Sequence, residues 1–163
     1  TETRAFTNIL DLGCGTGLMG VIMHQHCKNL FGVDLSPLMI QEAEKKEAYT
    51  QLFQEDLFSI PSLDIPNIDL IIAADVFVYI GDLGPLFDIL THKITKNGYF
   101  LFSVEECTEG FKLGAEARFV HSLSHIQSSL HSSMKIVATK RAPLRKNNDE
   151  WVEGLLVLAQ KNI

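Results

Sequence analysis

Asn8-Ile9-Leu10-Asp11-Leu12-Gly13-Cys14-Gly15-Thr16-Gly17-Leu18-Met19-Gly20 is the stretch from which the fold is read. An apolar run carrying Asp11 breaks into glycines at 13, 15 and 17, then resumes in an apolar helical pattern. That is a strand, a tight turn and a helix start, and a glycine turn lets backbone approach a ligand with no side chain between them. Fourteen residues after Gly20, a second apolar run, Leu30-Phe31-Gly32-Val33, ends in Asp34. An acid at that place can hold the two hydroxyls of a ribose. The pair of features implies a site for an adenosine-containing cofactor.

Outward from this stretch, strand and helix patterns alternate. Apolar runs predict strands over 7–12, 29–34, 51–55, 68–74 and 99–104, and a helix over 16–27. Ser36-Pro37 supplies an N-cap and a first-turn proline for a helix running to about 48. Residues 57–66, with Pro61 and Pro66, read as a loop. Leu83, Leu86, Phe87, Leu90 and Ile94 recur at helical spacing, and Asn97-Gly98 is the expected end of that helix. Phe119, Leu123, Ile126 and Leu130 predict another helix over 119–130. Residues 134–143 and 152–160 read as two strands with no helix between them. The expected fold is α/β: a doubly wound, Rossmann-like, mostly parallel sheet with an antiparallel C-terminal edge hairpin. Its ligand belongs at the carboxyl ends of the central strands, where Asp11, Asp34, Asp56 and Asp75 all fall.

Composition narrows the classes. A length of 163 residues fits one domain with a full core. A formal net charge of −6 argues against nucleic acid as the main partner. The longest apolar run, 70–80, is broken by Asp75 and falls short of the ~18–20 residues a membrane helix needs. Residues 1–6 lack the basic start and apolar stretch of a signal peptide. Cys14, Cys27 and Cys107 are odd in number and without paired spacing, which points to a reducing, cytoplasmic compartment. None follows a proline, so no Pro-Cys nucleophile is present, and the six histidines make no metal set with acids or cysteines.

Gly15-Thr16-Gly17-Leu18-Met19-Gly20 also fits the dinucleotide pattern, with Asp34 about 20 residues beyond its first glycine. Three features oppose a nicotinamide enzyme. Asp11 and Gly13 interrupt the strand that should run apolar to the first glycine, Glu55-Asp56-Leu57 adds an acid suited to an adenine amino group, and no second domain carries hydride chemistry.

Here the chain resembles the class I S-adenosylmethionine (SAM)-dependent methyltransferases. Residues 10–17 look like their first motif, Gly32-Val33-Asp34-Leu35-Ser36-Pro37 like their second, and Gln54-Glu55-Asp56-Leu57 like their third. Residues 69–76 resemble the fourth, and 97–102 the strand beyond it, so the likeness runs in order from 7 to about 105. More narrowly, residues 74–83, 118–122 and 154–157 are similar to a group of predicted methyltransferases associated with tetratricopeptide repeats.

The resemblance implies roles residue by residue. Gly13, Gly15 and Gly17, with Cys14 between them as a small filler, would pass under the methionine and ribose portions of SAM. Asp11 would steady that loop and face the amino group. Asp34 would take the ribose hydroxyls. Asp56 would accept from the adenine amino group, with Leu35 and Leu57 against the ring and Met39 packed on adenosine or in the core. Ala74 and Asp75 would line the methionyl end. The acceptor is expected to be a small molecule or a protein; Ala74-Asp75-Val76-Phe77 stands where nucleic-acid amino methylases carry N/D-P-P-Y.

A catalytic base is optional, and Asp75, Tyr79, Glu105 and His121 are candidates. Arg118 and His121, three apart at the start of the expected helix, would project together. Arg118 would hold a carboxylate or phosphate on the acceptor and His121 would take a proton. The alternative is that Arg118 pairs with Glu105, Glu106 or Glu116 and orders the loop. The basic cluster Lys135, Lys140, Arg141, Arg145 and Lys146 reads as a solvated hairpin. The rival function is a non-catalytic SAM-binding regulatory or assembly module. Many relatives carry lid helices before the first strand; this chain is expected either to be minimal or to lack that region.

Overall fold

The computed structural model describes residues 6–162. The first strand, β1 (Phe6–Leu12), runs into the glycine turn, and Gly17 in left-handed conformation (φ 83°) opens α1 (Leu18–Met23). A single 3-10 turn then leads to β2 (Cys27–Asp34). Ser36 caps α2 (Pro37–Glu44), its side chain accepting from the Met39 N–H with Pro37 in the first turn. Next come β3 (Gln51–Gln54), a 3-10 segment over Leu57–Ser62, and β4 (Ile68–Ala73). α3 (Gly84–Lys93) is followed at once by β5 (Ile94–Glu105). A short ribbon, β6 (Phe111–Leu113) with β7 (Phe119–His121), precedes α4 (Leu123–Ser129). The chain closes with β8 (Met134–Asn147) and β9 (Glu150–Lys161).

The main sheet has the order β3-β2-β1-β4-β5-β9-β8. β3 to β5 are parallel neighbours, and β9 runs antiparallel to both β5 and β8. The predicted doubly wound sheet with its antiparallel edge hairpin is thus observed. The order reverses between β1 and β4, so the crevice for a ligand opens beyond their carboxyl ends.

Alternation along the central strands separates two cores. On one face Leu10, Leu12, Ile71, Phe100 and Phe102 pack with Leu86, Phe87 and Leu90 of α3 and Ile126 of α4. On the other, Ile9, Leu30, Leu70 and Ile72 meet Met19 and Met23 of α1. Phe77, Phe87, Phe100 and Phe102 stand in tilted and edge-on contact, with centroids 4.6 to 6.1 Å apart. Fully burying a side chain of this kind is worth about 1.5–3 kcal/mol. This cluster anchors the loop after β4 from beneath.

Several expected boundaries move. α1 is shorter than 16–27, because β2 already pairs with β1 from Cys27. α2 stops at Glu44, and Glu47 adopts φ 53°, which turns Tyr49 inward. Asn97-Gly98 does not end α3. That helix ends at Lys93, and the pair sits in an irregularity of β5 between Ile94 and Tyr99, with Asn97 at φ 63°. The helix expected over 119–130 begins only at Leu123, because the Ser122 hydroxyl caps it by accepting from His125 N–H at 3.1 Å. Phe119 to His121 is strand instead, and Phe119, placed on the apolar stripe of that expected helix, is half-buried beside Phe111.

Among the described residues, no helix is long and apolar enough to cross a membrane, and no group of His, Cys, Asp and Glu could hold a metal ion.

Candidate functional site

A cavity of about 840 Å³ lies at the predicted crevice. Gly13 and Gly15 form its floor, Asp34, Leu35, Ser36 and Met39 one wall, and Asp56, Leu57 and Phe58 a second. Ala74, Asp75, Val76, Tyr79 and Ile80 complete it from the β4 side. Its size is that of a small-molecule site.

Backbone geometry makes the floor. Gly13 has φ 58° and Gly15 φ 53°, a region that side-chain-bearing residues rarely enter. A Cβ on Gly13 would also come within 2.7 Å of Val76 Cγ2. Asp34 holds this turn: its Oδ2 accepts from Gly15 N–H at 2.9 Å and its Oδ1 from Ser36 N–H at 2.9 Å. Asp56 caps the following 3-10 segment, with Oδ1 accepting from Phe58 N–H at 2.8 Å. Local capping thus orients both acids at the cavity. Each still offers lone pairs for ligand hydroxyl or amino hydrogens.

Of the residues expected to bind cofactor, Gly13, Gly15, Asp34, Leu35, Met39, Asp56, Leu57, Ala74 and Asp75 line the cavity. Asp11, Cys14 and Gly17 do not. Asp11 is buried behind the glycine turn, where the Tyr49 hydroxyl donates to its Oδ2 at 2.6 Å. Burial raises its pKa to about 6, against the lowering effect of the Tyr49 hydrogen bond and with a further rise from the Asp34 charge. Cys14 is buried, its N–H donating to Val33 C=O, and burial, with Asp11 and Asp34 nearby, pushes its thiol up to about 12. Gly17 caps α1 against Ala43 and Tyr49.

Tyr49 was not legible as a site residue. Its ring fills the space beside Gly20 and Gly32, where a Cβ would collide with it. The absence of side chains at 20 and 32 is the trace it leaves in the sequence. Burial and the Asp11 carboxylate raise the Tyr49 pKa, so its hydroxyl stays protonated and donates. Ser36, Phe58, Val76 and Ile80 are further lining residues with no distinguishing pattern.

The β4 side is held by ion pairs. Asp75 sits at φ 58°, costly for a residue with a side chain, and its N–H donates to Ser103 Oγ at 2.9 Å. Arg118 Nη2 donates to Asp75 Oδ1 at 2.6 Å and its Nε to Glu105 Oε1 at 2.8 Å. Arg145 Nε donates to the same Glu105 oxygen at 2.9 Å, and its Nη2 to Glu116 Oε2 at 3.2 Å. Glu105, a candidate base and the alternative partner expected for Arg118, is that partner, buried between two guanidinium groups. The basic hairpin is not simply solvated: Arg141 forks onto Glu106, holding that carboxyl below its usual pKa, and Lys146 lies over the Trp151 ring.

Tyr79 lines the cavity, with the Arg118 guanidinium 5.8 Å from its ring centroid. His121 does not join Arg118. It is fully buried, its Nε2 lies 2.9 Å from Ile80 C=O and 3.0 Å from Gly81 C=O, and its Nδ1 has no hydrogen-bond partner among the described residues. Burial lowers its pKa, the two carbonyl contacts acting against that shift. The expected pairing assumed a helix. Arg118 instead precedes β7 and His121 ends it, so the two do not share a helix face.

The model of the family described as "Methyltransferase domain" matches residues 4–154, and the chain belongs to that family. It is 32% identical over 96 residues to a malonyl-[acyl-carrier protein] O-methyltransferase of Hamiltonella defensa, covering 58% of this chain and 36% of that protein. The chain spans 34% to 46% of the length of the curated relatives it matches. N-methyltransferase NodS from Bradyrhizobium japonicum WM9, in complex with S-adenosyl-L-homocysteine (SAH), superposes with a TM-score of 0.76 at 20% identity, covering 96% of this chain and 79% of NodS. Magnesium protoporphyrin IX methyltransferase (ChlM) from Synechocystis PCC 6803, with bound SAM, gives 0.74 at 16% identity, covering 99% and 72%. At these identities the two structures carry the fold.

Proposed function

We propose that this chain is the cofactor-binding and catalytic domain of a SAM-dependent methyltransferase whose acceptor is a small molecule or a protein. The observation that carries this is one cavity at the β1/β4 reversal bearing a glycine floor and two carboxylates held by neighbouring backbone amides. The donor set fits an adenosyl group. Asp34 accepts the ribose hydroxyls, Asp56 accepts the adenine amino group, and Leu35, Met39, Leu57 and Phe58 flank the base. Gly13 and Gly15 admit the ligand to bare backbone, and Ala74 and Asp75 border the methionyl end. Asp11, Cys14 and Gly17 act from beneath, by fixing the glycine turn.

When bound, SAM supplies a methyl group already activated by a sulfonium. The chain's own work is therefore alignment and exclusion of water. Asp75 and Tyr79 face the acceptor, while Arg118 and His121 hold the wall that carries them. The three free cysteines support a cytoplasmic setting, and residues 74–83 support a place among the tetratricopeptide-associated group.

Calorimetric titration with SAM, SAH and NADH tests the proposal. SAM and SAH should bind saturably. Saturable NADH binding without SAM binding would overturn it.

A further inference from the structure

We infer that the acceptor presents a nitrogen that is cationic or donates a hydrogen bond, received by Asp75 and Tyr79, and that Arg118 is a positioning residue for Asp75 and not an anchor for an acceptor anion. This rests on the methyltransferase reading of the cavity.

Arg118 is already engaged on two sides, by Asp75 at 2.6 Å and Glu105 at 2.8 Å, and its side chain is only 15% exposed. The chain of contacts Asp75–Arg118–Glu105–Arg145–Glu116 alternates in sign and begins and ends on a carboxylate. Three acids face two guanidinium groups, so an incoming anion meets an excess of its own sign and a cation relieves it. Asp75 is the member at the cavity. Its side chain is 48% exposed, and Oδ2 has no hydrogen-bond partner among the described residues. The left-handed backbone at Asp75, the Ser103 contact and the Arg118 contact together restrict where Oδ2 can point. Tyr79, 73% exposed, brings an aromatic ring to the same wall, with the Arg118 guanidinium over it 5.8 Å from the centroid. A carboxylate oxygen beside an aromatic ring is a receptor for an ammonium or amine group: the oxygen accepts a hydrogen bond from either, and the ring face attracts the cationic form.

The test uses benzylammonium and benzoate, probes of similar shape and opposite charge. Each is titrated into the chain with and without saturating SAH, and the backbone amides of Asp75 and Tyr79 are followed by NMR. Benzylammonium should shift both amides saturably and benzoate should not. Asp75→Asn should weaken benzylammonium by about tenfold or more, as loss of a charged hydrogen-bond partner does. Arg118→Ala should weaken it too, with partial recovery in Arg118→Lys, which keeps the charge without the fork. Should Asp75→Asn not fold, Tyr79→Leu must weaken the same probe. Benzoate binding that Arg118→Ala abolishes would overturn the inference. So would benzylammonium binding indifferent to both Asp75 and Tyr79, or no shift by benzylammonium at either amide. If SAH does not bind while benzylammonium still requires Asp75, only the methyltransferase reading falls.

Discussion

On the β1–β3 side of the cavity, carboxylates are held by backbone amides: Gly15 and Ser36 on Asp34, Phe58 on Asp56, at separations of 19, 2 and 2 residues. On the β4–β5 side they are held by guanidinium groups: Arg118 on Glu105 and Asp75, Arg145 on Glu105, at separations of 13, 43 and 40 residues. The first wall is made of short turns and caps, joined across one pair of neighbouring strands, β1 and β2, by the Asp34 contact to Gly15. The second exists only when the β6–β7 ribbon and the β8–β9 hairpin have docked. On the function proposed above, the first wall would serve a cofactor common to the family and the second an acceptor particular to this protein.

The comparison can be broken first at Asp11, on the backbone-built side. Its folded pKa of about 6 lies above the ordinary aspartate value of 3.8, so the folded state binds the proton more tightly. Its contribution is favourable at low pH and is lost as pH rises from about 4 to about 6, by about 3 kcal/mol in all. Denaturant unfolding across that window should show Asp11→Asn lacking this fall. Matching pH profiles for parent and variant would mean that Asp11 is not a desolvated acid.

Next in size is Asp34→Ala, expected to weaken SAH by about 10- to 150-fold, corresponding to roughly 1.5–3 kcal/mol for a charged hydrogen-bonding group. Calorimetry reads this directly, and an unchanged affinity in a folded variant would remove Asp34 from the site.

His121 gives the ion-paired side an opposite pH response. Burial lowers its folded pKa below 6.5, so its contribution is full above 6.5 and is lost as pH falls through the lowered value. Thermal unfolding of His121→Gln should be less sensitive to acid than that of the parent. A variant equally acid-sensitive would place the responsible group elsewhere.

The smallest expected effect sharpens the division. Arg118→Ala should alter SAH affinity by no more than about 0.5 kcal/mol, because Arg118 touches the proposed cofactor site only through Asp75 at its methionyl border. A drop of about tenfold in a calorimetric titration would join the two walls into one unit.

How far the sequence reached follows the same line. The glycine turn, the acids after β2 and β3, and the apolar runs of β1 and β4 are local patterns, so the sheet, its switch point and nine of the twelve residues expected at the cofactor were legible as neighbours of one cavity. The start of α4 was concealed by the apolar spacing of Phe119 with Leu123, although Ser122 is the residue that caps it. Steric limits on φ and the demand that loop amides find acceptors act within a few residues, so the sequence by itself determined the glycine turn and the caps at Asp34 and Asp56, while the Asp34 contact to Gly15 also needs β1 and β2 paired. Only the tertiary structure decided that Tyr49 lies under the floor on Asp11, that Arg118 and His121 face apart, and that Glu105 is buried between two arginines. Each of those depends on which charged or polar group arrives from a distant element to satisfy a desolvated partner, and no spacing along the chain encodes that meeting.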